Sequence, residues 1–193
     1  MELILTLLIG VGLSAASGFR IFLPFLVISV ASLTGYLELS PSFEWIGTYP
    51  AMTVFTVAAL VEILSYLFPF IDNLISTISI PFALIAGTLI TASVIVDMNP
   101  LLTWSLAIIA GGGASLTAKT TSTLFHTGST AVSGGTANTL VSAAETVYAV
   151  VMAVVSIIAP VLIIFLFGLI IWIAIKALRK QKGHIKFKKT RRR

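Results

Sequence analysis

Cysteine is absent from the chain, which excludes disulfides and thiolate metal sites. Its two histidines, His126 and His184, cannot by themselves complete a three-ligand metal centre. Charge is nearly as scarce. Only 10% of the 193 residues are Asp, Glu, Lys or Arg, where a soluble domain carries about 25%. Hydrophobic residues make up 58%, so the chain reads as an all-α integral membrane protein. Its length allows about six transmembrane helices and leaves no room for a soluble domain. Enzyme signatures are missing too. No His-Glu-x-x-His pair occurs, and no embedded histidine follows Ala131-Val132-Ser133-Gly134 to act as base for a serine nucleophile. The expectation is therefore a non-enzyme, without cofactor or metal.

What charge there is lies mostly at one end. Ten of the twelve basic residues fall within 176–193. The positive-inside rule makes the tail, 179–193, cytoplasmic, where it meets the anionic head groups of membrane lipids. No aromatic platform is interleaved with it, so nucleic acid is not an expected partner. This describes a multi-pass protein of a bacterial-type cytoplasmic (inner) membrane. The Met1-Glu2 start lacks a positive leader and apolar sequence resumes at Ile21, so the first run is expected to be retained rather than cleaved.

Apolar runs occupy 3–13, 21–37, 51–70, 79–96, 101–110, 139–159 and 161–178. An acidic loop at 38–50 carries Glu38 and Glu44, with Trp45 and Tyr49 suited to a membrane interface. Residues 70–80 read as a connection. Asp97-Met98-Asn99-Pro100 reads as a turn whose proline opens the next helix. A turn or kink is required near Ser156–Pro160, because one helix over 139–178 would be about twice the hydrocarbon thickness. Segment 111–144 differs in kind: 25 of its 34 residues are Gly, Ala, Ser or Thr. Between transmembrane runs, such a segment reads either as a flexible linker or as an element packed inside the membrane or lining a cavity.

Outside 176–193 only Arg20 and Lys119 are basic. Each follows a small-residue cluster, each is followed by an acid in an apolar helix (Glu62 and Glu145), and each acid by a proline (Pro81 and Pro160). This order suggests two three-helix repeats, 1–97 and 98–178, each with a broken or re-entrant helix. Three crossings per half would invert the halves and leave both termini cytoplasmic, with the 38–50 loop outside. Re-entrant hairpins would make two crossings per half and parallel halves. Inverted repeats are the expectation.

A charge at the bilayer centre costs roughly 2.5–3.5 kcal/mol on insertion scales, and arginine cannot escape by losing its proton. Arg20, Lys119, Glu62 and Glu145 are therefore expected to meet at a midplane site between the halves, as a transport site or as a structural lock. Helical spacing supports polar faces: Ser115, Lys119, Ser122 and His126 form one stripe, Asn138, Ser142 and Glu145 a second, Glu62, Tyr66 and Pro69 a third. Such stripes also join helices by hydrogen bonds. The backbone is expected to open at Ser17-Gly18 and at Gly111, Gly112 and Gly113, turning free N–H groups toward an anion. Gly128, Gly134 and Gly135 form a further candidate turn. The same glycines could instead serve close packing. Asp72 and Asn73 read as a helix cap or as ligands.

The stretches SAASGFRIFLP, PAMTVFTVAALVEILSYLFPFIDNLIST, PFALIAGTLITAS, LAIIAGGGAS and HTGSTAVSGGTANTLVSAAE resemble, in that order, the bacterial membrane proteins catalogued as domain of unknown function 4126. The resemblance covers residues 5–160. It implies a small multi-pass inner-membrane protein and no established activity. Taken with the charges, the sequence predicts a transporter for a small anionic solute or anionic lipid head group. The alternatives are a membrane scaffold or complex subunit whose stripes pack against partners, homo-oligomers included, and an ion channel.

Overall fold

The computed structural model describes residues 2–65, 69–96, 98–134, 136–165, 168–169, 172–173 and 175–176. Tyr66, Asp97, Gly135 and the tail, 179–193, lie outside them. So do the side chains of Asp72 and Asn73, whose backbone is helical.

Every regular element among the described residues is a helix. In order these are α1 (Glu2–Phe19), α2 (Phe22–Leu33), a 3₁₀ helix (Pro41–Gly47), α3 (Tyr49–Ser65), α4 (Pro69–Val94), α5 (Pro100–Leu106), a π-helical stretch (Ala107–Gly112), α6 (Gly113–Ser133), α7 (Asn138–Ile158) and a 3₁₀ turn (Pro160–Leu162). Local chemistry explains several boundaries. Asn99 caps α5 by accepting from the Leu101 N–H at 2.9 Å, with Pro100 at the first position. Gly134 ends α6 at φ 64°, in the left-handed region open to glycine. The chain turns at Ala159-Pro160 as the length argument requires.

Two boundaries differ from expectation. Residues 70–80 are the first turns of α4, and Pro81 lies inside that helix instead of opening one, at the cost of the backbone bond its missing N–H would have made. Gly111, Gly112 and Gly113 do not break the chain. Residues Pro100–Ser133 form one 34-residue helix, widened at Ala107–Gly112, and Gly128 is a helical residue within it.

Helix α1 is central, packed by α4, α6 and α7, while α2 lies against α3, α7 and the Pro41–Gly47 helix. Contacts fix its direction. Gly10 packs on Thr91 and Val94, and Gly12 on Ser156 and Ile163. Ser14 reaches Gly87 O at 2.6 Å, and Phe19 meets the Tyr148 ring at 5.3 Å. The Ser40 N–H donates to Ser93 O at 2.8 Å, and the Phe43 and Trp104 rings are 6.4 Å apart. Hence the start of α1, the end of α4, the start of α5 and the end of α7 share one end of the molecule with the Pro41–Gly47 helix. From Phe22, α2 returns to that same end, with Phe25 stacked on Phe55 at 5.3 Å and Ser32 against Gly47. So α1 and α2 form a hairpin with Arg20 at its tip.

Among the described residues two helices, Pro100–Ser133 and Asn138–Ile158, are long and apolar enough to cross a membrane. A third span results if Pro41–Gly47 and Tyr49–Ser65, bent by 67°, count together. Shorter apolar helices cover Leu3–Phe19, Phe22–Leu33 and Ser79–Val94. Helix α3 leaves Val54, Val57, Leu60, Val61 and Leu64 exposed, a face that water would penalise.

Candidate functional site

The hairpin tip gathers the embedded charges. Helix α1 closes its last turn with the Arg20 N–H donating to Ala16 O at 3.0 Å. The next helix then starts with unsatisfied N–H groups, as any helix does. Glu62 on α3 fills that position: its Oε1 accepts from the Ile21 N–H at 2.7 Å and its Oε2 from the Phe22 N–H at 3.0 Å. A carboxylate suits a helix N-terminus, because the aligned peptide dipoles leave partial positive charge there. The helix end expected to receive an anion at the break thus holds the protein's own. Glu62 also feels the attraction of Arg20 and Lys119.

Arg20 is 1% exposed. Its Nε donates to Thr146 Oγ1 at 2.8 Å and its Nη2 to Ser142 O at 2.7 Å. Thr146 in turn donates to Ser142 O at 2.9 Å. Ser142 therefore contributes its carbonyl, and Arg20 ties the hairpin to α7. Thr146 was absent from the sequence candidates, although it lies four residues beyond Ser142 on the same stripe. Lys119 and Ser122 are buried on α6. On α7, Glu145 Oε2 lies 3.2 Å from His126 Nε2, joining the two sequence stripes. Glu145 Oε1 is buried and has no hydrogen-bond partner among the described residues.

Several of the residues expected at the site make packing contacts. Ser17 donates to Ser14 O at 2.7 Å and lies 3.0 Å from Ser115 Oγ, which donates to Ala83 O at 2.7 Å. A Cβ at Gly18 would meet Ser115 O, Ala118 and the Lys119 N; at Gly111, Gly87 and Thr91; at Gly112, Leu84 and Thr88. These residues form a tight seam between α1, α4 and α6. A Cβ at Gly113, Gly128 or Gly134 would meet nothing within 4 Å among the described residues. Asn138 donates to Thr130 Oγ1 at 3.0 Å and ties α7 to α6 away from the charges.

Two cavities flank the tip. One, of about 260 Å³, is lined by Phe19, Thr121, Phe125, Val141, Ala144, Glu145, Tyr148 and Ile173. The other, a groove of about 580 Å³ along α3, is lined by Ile21, Phe22, Thr53, Val54, Val57, Ala58, Val61, Glu62 and Ser65. The residues before and after Arg20 thus line different cavities, and each cavity holds one embedded acid.

A family model described as Domain of unknown function (DUF4126) matches residues 7–180. No curated protein and no solved structure matches the chain.

Proposed function

From the premise that the chain belongs to this domain-of-unknown-function family, whose description carries no activity, we propose that it is a small multi-pass membrane transporter built around the Arg20 hairpin. The observation that carries this reading is the pair of cavities divided at Arg20, one bearing Glu62 and the other Glu145. An ionisable group embedded at membrane depth marks an ion or substrate path by default, and a helix end pointing into the membrane interior is the recurring device of transporters.

Depth supports it. Ser17 is level with Ala83 through Ser115, and Ala83 lies about three turns, or about 16 Å, before the end of α4. That is about half of a 30 Å hydrocarbon core. The hairpin start and the Pro41–Gly47 helix share one end, so this topology has α1–α2 entering and leaving on one side. In this reading α3, α4, α5–α6 and α7 cross, and the apolar run at 161–178 of the sequence supplies a fifth crossing. The acidic 38–50 loop is then outside and the basic tail in the cytoplasm of a bacterial-type inner membrane, with the N-terminus outside. We propose this arrangement, one hairpin and five spans, in preference to the six-crossing, inverted-repeat arrangement expected from sequence. The Arg20 bonds to Ser142 and Thr146 join the two halves at the charged site.

The charge open to the cavities sets the substrate. Arg20 and Lys119 line neither cavity, and the free N–H groups at the break are held by Glu62. Carboxylates remain, so protons or cations fit the site better than the small anionic solute or anionic lipid head group expected from sequence. Reconstituted in liposomes, the wild type should pass protons or small cations, and Glu62→Gln should cut that flux at least about tenfold while staying folded. Absence of flux for protons, cations and anions, with Arg20→Ala and Glu62→Gln only less stable, would count decisively for the second reading, a scaffold or complex subunit. The dry serine and glycine seam of α1, α4 and α6 favours that reading.

A further inference from the structure

We infer that the cavity beside Glu145 is a binding site for a small apolar compound carrying a protonated amine. This rests on the transporter reading only in so far as it would name its substrate class; the site itself stands on separate observations.

The cavity walls are apolar and aromatic, with Phe19, Phe125 and Tyr148 among them. Into this surface the chain places one carboxylate, Glu145, 6% exposed. One carboxylate oxygen is held by His126, and the other, Oε1, is buried with no partner among the described residues. A buried acceptor left unmade costs about as much as a lost hydrogen bond, and a charged acceptor more. The matching ligand brings a positively charged N–H group to the Glu145 carboxylate and an apolar body against the rings. Aromatic faces attract cations in addition. At about 260 Å³, just below the usual range of ligand pockets, the cavity suits a body of about one ring. A carboxylate ligand would face Glu145 with like charge, so the site discriminates against the anions that the sequence suggested.

The probes are three compounds of one shape: phenethylammonium, the neutral propylbenzene and the anionic 3-phenylpropanoate. Equilibrium binding to the detergent-solubilised full chain is read by calorimetry or by NMR of the probe. Phenethylammonium should bind at least about tenfold more tightly than propylbenzene, and the anion more weakly than either. Glu145→Gln keeps the shape and an acceptor while removing the charge, and should cost phenethylammonium about tenfold and leave propylbenzene unchanged. Ala144→Phe fills the cavity from an exposed position without touching a hydrogen bond, and should weaken both. If Glu145→Gln fails to fold, the Ala144→Phe variant and the three-probe order still decide. Equal binding of the ammonium and neutral probes, as expected of a cavity that takes a lipid chain, overturns the inference. So does ammonium binding undiminished by Ala144→Phe. Binding without any flux in liposomes would keep this site and remove the transporter reading, and flux without binding would do the reverse.

Discussion

At the scale of single residues, Glu62 is the group whose role is tied most closely to geometry. One carboxylate serves two backbone donors, Ile21 and Phe22, at the start of α2, and it is 8% exposed. Water is scarce there, so a lost partner is not replaced. Leaving a buried donor unsatisfied costs about 1–3 kcal/mol. Glu62→Ala removes both acceptors and should destabilise the protein by about 2–6 kcal/mol if both donors stay dry. Glu62→Gln keeps one acceptor oxygen and should cost about half as much. Thermal unfolding in detergent measures the difference, and hydrogen exchange should accelerate at both the Ile21 and Phe22 amides in the alanine variant and at one of them in the glutamine variant. Equal losses for the two variants would mean that charge, rather than the cap, is what Glu62 supplies. An embedded acid at position 62 was legible in the sequence. That its partners are backbone N–H groups was not, because nothing in the spacing of Arg20 and Glu62 says where the first helix stops.

At the scale of elements, the glycine triplet shows what sequence could and could not tell. Asn99-Pro100 and Ala159-Pro160 were readable as boundaries because a cap and a missing N–H act within a few residues. Gly111, Gly112 and Gly113 looked like a break, yet the helix runs through them, since what matters is the surface opposite. Gly111 faces Gly87 and Thr91, Gly112 faces Leu84 and Thr88, and Gly113 faces nothing within 4 Å. One substitution at neighbouring positions should therefore change sign. Gly113→Ala adds helix propensity without a clash and should stabilise by about 0.5–1 kcal/mol. Gly111→Ala gains the same propensity but forces α4 and the π-helical stretch apart, for a net loss of about 1–3 kcal/mol. Unfolding of both variants in one detergent tests this. Two stabilised variants would mean that the seam is looser than its contacts imply. The serines follow the same logic: Ser17 and Ser115 read from sequence as site residues or as helix glue, and the contacts they make here are interhelical, Ser17 Oγ with Ser115 Oγ and Ser115 with Ala83 O, as is that of Ser14 with Gly87 O.

At the scale of the whole molecule, the sequence left open whether the first two apolar runs cross or return, since either leg length is compatible with both. Contacts between distant segments fix how α1 runs relative to its neighbours, and the proposed hairpin topology rests on that direction. Gly10 sits at the level of Thr91 and Val94, whereas Ser17 sits lower, at Ser115 and Ala83, so α1 starts at the end that carries Ser40 and Ser93. The consequence is testable without removing any native thiol, because the chain has no cysteine. In intact cells, Glu2→Cys and Ser42→Cys should react with a membrane-impermeant maleimide, and Thr136→Cys, in the turn between α6 and α7, should react only after the cells are opened. The six-crossing arrangement with inverted halves expects Glu2→Cys to behave like Thr136→Cys. If it does so while Ser42→Cys labels from outside, α1 crosses the membrane and the Arg20 hairpin is not a re-entrant element. The two cavities would then lose their common divider, and the transporter reading its main structural support.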